Sequence, residues 1–451
     1  MSVFVRLCIM MFLQFFVWGA WFVSMTGFFK AQGMSDVTGA AYTVGPLAAI
    51  IAPLFLGIIA DRFFSGQKVL ACLHFIGAIM LFLVPMSAAS FALDPAPEGA
   101  GLFYNLVLHD LSAYTQPLIL LLFVHMLCYM PTISLSTSIS FEHLSDSEKQ
   151  FPIVRVFGTI GWIAGNIAIS LFSDKDASAG QFYLAGGAGL VLGCFSLLLP
   201  NTPPKNKGQK TSIGQILGID SLRLMKNPNY AIMIVCSFLL CIPLAGYYAF
   251  ARTYVDASGV LIRDSATFTM SLGQMSEIFF MLIMPFMFRK LGIKWMLVAG
   301  MGAWVLRYAL FAMGADDNVM WMILFGIILH GICYDFFFVT GMVYVEKKAP
   351  EEIRNQAQGF LVLVTQGLGL GIGAKLFMGH YLMNSPDGVS DWGTIWQYPA
   401  IFAFAVGVIF IVLFRDDTST DDTGDDNDVS EADAPEEDAV TEEDVASEPT
   451  Y

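Results

Sequence analysis

Charged residues are scarce in this chain of 451 residues. Asp, Glu, Lys and Arg together make up 14% of it, whereas hydrophobic residues make up 56%. A soluble globular protein carries about 25% charged residues, so most of this surface does not face water. The scarcity of charge excludes a soluble enzyme or binding module and indicates a protein embedded in a lipid bilayer.

Sites for metals and disulfides are also lacking. The seven cysteines lie in apolar segments and include no Cys-x-x-Cys pair, which excludes an extracellular disulfide framework and a zinc site. His125 and His330 are isolated, without the spacing of metal ligands. Because the loops contain no nucleophile–base pair, we expect neither an enzyme nor a cofactor.

Long apolar runs fill most of the chain. Each has about 17–25 residues, the length that crosses ~30 Å of hydrocarbon as an α-helix. The runs lie at 7–29, 41–60, 69–92, 117–140, 156–173, 182–199, 230–251, 267–288, 295–313, 319–343, 358–381 and 396–414. The sequence therefore predicts an all-α membrane protein with twelve transmembrane helices.

The basic residues predict an orientation for these helices. With the N-terminus in the cytoplasm, sixteen of the 23 Lys and Arg residues lie on the cytoplasmic side. Three lie outside, Lys30, Lys175 and Arg263, and the others lie at or within the spans. This asymmetry follows the positive-inside rule. We expect both termini in the cytoplasm.

The connections divide the chain. A Pro/Lys-rich cytoplasmic linker at 201–228 separates an N-terminal six-helix half, 1–200, from a C-terminal half, 229–414. This is the organisation of transporters whose substrate site lies between two halves. The last segment, 415–451, holds sixteen acidic residues and one basic residue, so we predict a disordered acidic tail. Without it the chain has 22 residues of each charge.

The loop after the second span carries a recognisable motif. Gly57-Ile58-Ile59-Ala60-Asp61-Arg62 resembles the loop signature of the major facilitator superfamily, and Pro285 to Lys294 occupies the same place in the second half. The resemblance implies a major facilitator fold in which Asp61 and Arg62 latch the cytoplasmic gate.

Two acidic positions stand out inside the spans, where an ionisable group is costly unless it is paired or hydrated. Asp335 lies among aromatic residues in span ten, and a buried carboxylate there can take up and release a proton. The alternative is a structural ion pair with a facing helix. Gln274 and Glu277 are three residues apart, so they share a helix face and can present an amide and a carboxyl group to one ligand. The alternative for them is a hydrogen bond between helices.

Span five carries a polar stripe. Arg155, Thr159 and Trp162 follow i, i+4, i+7 spacing, which places a cation, a hydroxyl and a flat ring on one face. Such a stripe suits a ligand with hydroxyl groups and an aromatic base, although Arg155 could instead extend to the interface. In span one, Gln14, Trp18 and Trp21 have the same spacing. Their spacing does not decide whether they contact a ligand or pack against other helices. Arg307 is predicted to be structural, or to neutralise a carboxylate.

Several segments together resemble the bacterial nucleoside:proton symporters of the major facilitator superfamily, in order from about Leu13 to Phe414. They are Leu13-Gln14-Phe15, Trp18-Gly19-Ala20-Trp21, Phe151-Pro152 with Arg155, Gly158-Thr159-Ile160-Gly161, Gln274-Met275-Ser276-Glu277, Leu306-Arg307-Tyr308 and Asp335-Phe336-Phe337. The resemblance implies nucleoside import driven by the proton gradient across a bacterial inner membrane. It also implies a monomer that needs no cofactor and binds no nucleic acid.

The resemblance further implies a central substrate site, with Asp335 and Glu277 linked to protonation. Its residues would be Arg155, Thr159, Trp162, Gln274, Glu277, Tyr334 and Asp335.

Two departures keep alternatives open. Span seven reads Pro243-Leu244-Ala245-Gly246-Tyr247-Tyr248 where family members present amide side chains to the ligand, and Lys375 adds a cation where a small or neutral residue is expected. A proton-coupled carrier of sugars or of another small polar solute therefore remains an alternative, as does a membrane sensor that does not transport.

Overall fold

The computed structural model describes residues 1–59, 64–91, 109–145, 147–171, 177–203, 219–350 and 353–417. In these ranges the chain consists of helices joined by turns. Eight of the described helices are long and apolar enough to cross a membrane. The chain is therefore a multi-pass α-helical membrane protein.

The first group of helices extends to residue 196. It comprises α1 (Val3–Gly19), α2 (Met25–Ala31), α3 (Thr38–Ile59), α4 (Gly66–Ser87), α5 (His109–Ala113), α6 (Pro117–His143), α7 (Ser147–Ser170) and α8 (Gly180–Ser196). The second group comprises α9 (Pro228–Ser258), α10 (Ala266–Met313), α11 (Met320–Lys348), α12 (Gln356–Met383) and α13 (Trp392–Leu413).

Side-chain caps fix several helix starts. Asn227 accepts a hydrogen bond from the Tyr230 amide at 3.0 Å, and Pro228 opens α9 at a position where its missing N–H is not needed. Ser265 caps α10 in the same way. Both helices therefore begin within three residues of the first residues of the corresponding predicted spans.

The first predicted span, 7–29, is not one helix. It breaks into α1 and α2 across residues 20–24. The Ser24 hydroxyl bonds to the Trp21 carbonyl at 3.3 Å and to Gln181 Oε1 at 2.8 Å, and such local bonding competes with helix continuation. The sequence-based prediction of an unbroken helix here is wrong.

The runs predicted at 267–288 and 295–313 both lie in α10. Its backbone is helical except at Gly292, where φ is +66° and ψ is 179°. Only glycine adopts such a conformation without strain, so one residue supplies the change of direction. The predicted basic loop from Pro285 to Lys294 is therefore almost entirely helical.

Helix packing places the candidate site. In the first group α1 packs against α7, and α4 packs against α6 and α8; in the second group α10 packs against α11 and α13, and α9 against α12. Contacts between the groups run through α7 with α10, α3 with α12, and α2 with α9. The polar stripe of α7 thus lies near the polar residues of α10.

Two of the later helices contain π-helical turns. Asp335–Val339 interrupts α11, and Leu363–Gly369 interrupts α12. A π-turn shifts the register of the side chains that follow it, and such turns occur frequently at functional sites. Asp335 is the first residue of the one in α11.

The start of the acidic tail is attached to the helices. Lys348 pairs with Asp417 at 2.8 Å, and Lys294 donates to the Phe414 carbonyl at 2.7 Å. Partial burial acts to raise the pKa of Asp417, but hydrogen bonds from Lys348, Asn229 and Asn227 outweigh it and hold this pKa below its ordinary value.

Three predictions lie wholly or partly outside the described residues. They concern Asp61 and Arg62, the linker over 204–218, and the tail after residue 417.

Candidate functional site

The polar stripe of α7 borders α1. The Arg155 guanidinium lies over the Phe15 ring, 4.4 Å from its centre, and Gly158 leaves room for both groups. A Cβ at Gly161 would lie 2.0 Å from the Phe12 carbonyl oxygen, so the two backbones approach closely. Thr159 is buried in this contact region. The predicted face therefore forms, with Arg155 only half-buried.

Aromatic rings from four helices and from the break at residues 20–24 form a wall beside this stripe. Trp162 meets Trp18 edge-on at 5.2 Å and Phe22 at 6.1 Å, and Phe22 meets Tyr248 of α9 at 5.9 Å. Tyr129 of α6 lies 5.5 Å from Trp18. Rings at these distances present the faces and edges against which a planar base packs.

The three candidate residues of span one lie in different surroundings. Trp18 belongs to the aromatic wall, whereas Trp21 is 1% exposed and packs against His125 and Phe182. Gln14 is fully buried in hydrogen bonds with Thr132 and His74. Periodicity placed them on one face, but neighbouring helices assign Gln14 and Trp21 to packing.

Gln274 and Glu277 of α10 are both buried. Between them, the Ser276 hydroxyl donates to the Ile328 carbonyl at 2.6 Å and accepts from the Gly331 amide at 3.1 Å. These bonds fix α10 against α11. Among the described residues, Oε1 of Gln274 has no hydrogen-bond partner, which leaves a buried acceptor able to receive a ligand's hydrogen bond.

Asp335 is 0% exposed. Within the described ranges neither of its carboxylate oxygens has a hydrogen-bond partner. A buried polar group without a partner is costly, and far more so when it is charged. The alternative considered for this position, a structural ion pair, is not observed in the part of the chain that the structure describes.

Electrostatic interactions connect the candidates across the two groups of helices. The charge of Arg155 acts on Glu277, and the Glu277 carboxyl acts on Asp335. Tyr334 interacts with all three of these groups. The structure therefore brings the α7 residue together with the α10 and α11 residues.

Tyr248 was missed as a site residue by the sequence analysis. Its phenol interacts electrostatically with Glu277 and Tyr334, and its ring contacts Phe22. The only signal was its place in the span-seven segment that departs from the family pattern.

Arg307 contacts an aromatic ring and a backbone carbonyl. Its guanidinium stacks on the Tyr247 ring at 4.2 Å and donates to the Gly326 carbonyl at 3.1 Å. No carboxylate among the described residues pairs with it. These contacts agree with the structural role and do not support neutralisation of a carboxylate. Lys375 is not among these site residues either, because its ammonium lies over the Tyr114 ring.

In the described ranges, no group of three His, Cys, Asp or Glu side chains is arranged to hold a metal ion.

Comparisons with known proteins show which family this chain resembles. The family model described as "Nucleoside H+ symporter" matches residues 1–95 and 100–419. YegT of Escherichia coli (strain K12), assigned as a nucleoside transporter, is 37% identical over 92% of this chain and 94% of its own. Xanthosine permease of the same organism is 32% identical over 92% of this chain and 96% of its own. These relatives are transporters rather than enzymes.

A solved structure gives the same fold. The crystal structure of the nucleoside transporter NupG aligns with a TM-score of 0.77 at 30% identity, covering 92% of this chain and all of that one. The NupG permease of Escherichia coli (strain K12) is 31% identical over 96% of its length. The fold is therefore of the major facilitator type.

Proposed function

This chain belongs to the nucleoside H+ symporter family, and we propose that it imports nucleosides together with protons by alternating access. The observation that carries the proposal is the buried Asp335, which has no partner among the described residues yet interacts with Glu277, and through it with Arg155. A proton on Asp335 removes the charge that its surroundings do not compensate. Binding of a proton and binding of a solute can thus affect each other through neighbouring groups.

We assign the substrate site to the polar and aromatic groups between α7, α10 and α11. Arg155 and Thr159 would bind ribose hydroxyls, and Trp162 would pack against the base. Gln274, Glu277 and Tyr334 would bind from the facing side, and Asp335 with Glu277 would couple binding to protonation. The unpaired Gln274 oxygen and the wall of rings around Trp18 support this assignment.

The proposed architecture has twelve spans in two halves, 1–200 and 229–414, joined by the 201–228 linker. Division of α10 at Gly292 supplies two spans, and α1 with α2 supplies one. The positive-inside count supports placement in the bacterial inner membrane with both termini in the cytoplasm. We expect a monomer, in which each chain holds a complete site.

Contacts between α2 and α9 support alternating access. Lys30 pairs with Asp256 at 3.7 Å, and the Arg252 guanidinium fills the space beside Gly27, where a Cβ would lie 2.5 Å from Nη1. In the proposed orientation these contacts close the outer side. Asp61 and Arg62 would latch the cytoplasmic side in the opposite state.

The test is transport by the full chain reconstituted in liposomes. With an inward proton gradient, we expect labelled uridine and adenosine to accumulate, and a labelled hexose to remain at background. Hexose accumulation without nucleoside accumulation would indicate the sugar carrier instead. Nucleoside binding without flux would indicate a sensor.

A further inference from the structure

A groove lies between α3 and α12, away from the proposed substrate site. Its volume is about 270 Å³, and its walls are almost entirely apolar. Pro46, Leu47 and Ile50 form the α3 wall, and Leu368 and Ile372 lie on the α12 wall. An apolar groove of this kind accepts a hydrocarbon chain.

The groove is open at the surface of the membrane-spanning helices α3 and α12. Leu47, Leu368 and Ile372 are 39%, 42% and 44% exposed. In a membrane-spanning helix, such exposed apolar side chains contact acyl chains. The molecules that surround this opening are therefore the lipids of the bilayer.

One cation lines the groove. Lys375 contributes to the wall, and its Nζ lies 5.2 Å from the centre of the Tyr114 ring. The Tyr114 hydroxyl is hydrogen-bonded to Thr43 of α3, which holds the ring in place. Among the described residues, no carboxylate pairs with Lys375. A cation inside a membrane segment is costly unless it is paired or hydrated, so an anionic partner would stabilise this ammonium.

We propose that the groove binds one anionic phospholipid, with an acyl chain along the apolar walls and the phosphate against Lys375. Charge complementarity selects this occupant, because a neutral nucleoside supplies no counter-charge and a water-soluble phosphate leaves the apolar walls unfilled. The proposal rests on the membrane location of the chain and not on its substrate.

The experiment is native mass spectrometry of the full chain released from bilayers that contain equal amounts of phosphatidylglycerol and phosphatidylethanolamine. The wild-type chain is expected to retain one phosphatidylglycerol. Lys375→Gln should lower its preference for phosphatidylglycerol about fivefold, the factor that corresponds to about 1 kcal/mol per basic residue near an anionic surface. Lys375→Arg keeps the charge and should keep the preference.

Two further variants separate the groove from a simple surface charge. Leu368→Trp fills the opening and should remove the bound lipid while Lys375 remains. Lys290→Gln is the matched control, because Lys290 also lies over an aromatic ring, Phe286 at 4.5 Å, but at an exposed site outside the groove. It should leave retention unchanged.

Three outcomes would overturn the proposal. They are full retention in Lys375→Gln, full retention in Leu368→Trp, and displacement of the lipid by millimolar glycerol phosphate. The last would identify a site for a free phosphate compound. Monodisperse elution of each variant shows that it folds.

Discussion

Two buried polar clusters in this protein differ in how completely their hydrogen bonds are made. Around Gln14, the side-chain amide donates to Thr132 at 2.7 Å, His74 donates to the amide oxygen at 2.8 Å, and Tyr129 donates to the backbone carbonyl at 2.6 Å. Around Asp335, both carboxylate oxygens are without partners in the described residues, as are Gln274 Oε1 and His330 Nδ1.

We take this difference to separate a structural cluster from the proposed functional one. A complete network stabilises one arrangement of its helices. An incomplete network costs free energy, and it is explained when a proton or a ligand supplies the missing bonds in another state. We therefore expect substitutions in the Gln14 cluster to change stability, and those near Asp335 to change coupling.

The largest expected effect is that of Asp335→Asn. The amide keeps the size of the side chain but cannot release a proton, so uphill uridine accumulation in liposomes should fall to the level seen without a gradient. Thermal unfolding should stay close to that of the wild type. Normal accumulation by this variant would show that Asp335 is not the coupling site.

Arg155→Gln should weaken uridine binding about 10- to 100-fold, because a charged hydrogen bond to the ligand contributes about 1.5–3 kcal/mol. Isothermal titration calorimetry measures the change. Arg155→Lys tests whether charge alone is sufficient, and we expect it to recover only part of the affinity because lysine lacks the planar fork. Unchanged binding in both variants would remove Arg155 from the site.

Gln14→Met tests the complete cluster. It removes the hydrogen bonds that Gln14 makes with His74 and Thr132, so the free energy of unfolding should fall by about 2 kcal/mol or more. The pH profile of uptake should keep its shape, since no coupling group changes. A shifted profile would break the distinction between the two clusters.

Asp417 is a carboxylate that does have partners, and it serves as a reference for Asp335. Its substitution should have the smallest effect. Because its pKa lies below the ordinary value, its pairing with Lys348 stabilises the fold above the ordinary carboxyl pKa, and the stabilisation is lost as pH falls through the depressed pKa. Asp417→Asn should cost under about 1 kcal/mol at pH 7 and nothing at low pH. Lys348→Gln should show the same trend in thermal unfolding. A loss that persists at low pH would contradict the assignment.

Much of the candidate site could be predicted from spacing within single helices. The positions of Arg155, Thr159 and Trp162 put them on one face of α7, and Gln274 with Glu277 on one face of α10, because helical periodicity is a local property. The cost of a charge in a membrane singled out Asp335. These features need no knowledge of neighbouring helices.

Features that depend on contacts between helices could not be predicted in this way. Trp18 and Trp21 had equal signals, yet only Trp18 meets Trp162. Tyr248 reaches the site because α9 packs against α10 and contacts Phe22 in the break between α1 and α2. Ser276 fixes α11 through bonds to residues about fifty positions away. The break at residues 20–24 likewise depends on Gln181 of α8.

The most direct test of the central claim is proton movement driven by nucleoside alone. Liposomes containing the wild-type chain and a pH-sensitive dye are prepared at equal pH inside and outside, with the membrane potential clamped at zero. Inward-directed uridine should then acidify the lumen, and Asp335→Asn liposomes should show no acidification. Uridine entry into wild-type liposomes without acidification, or equal acidification with Asp335→Asn, would contradict the account.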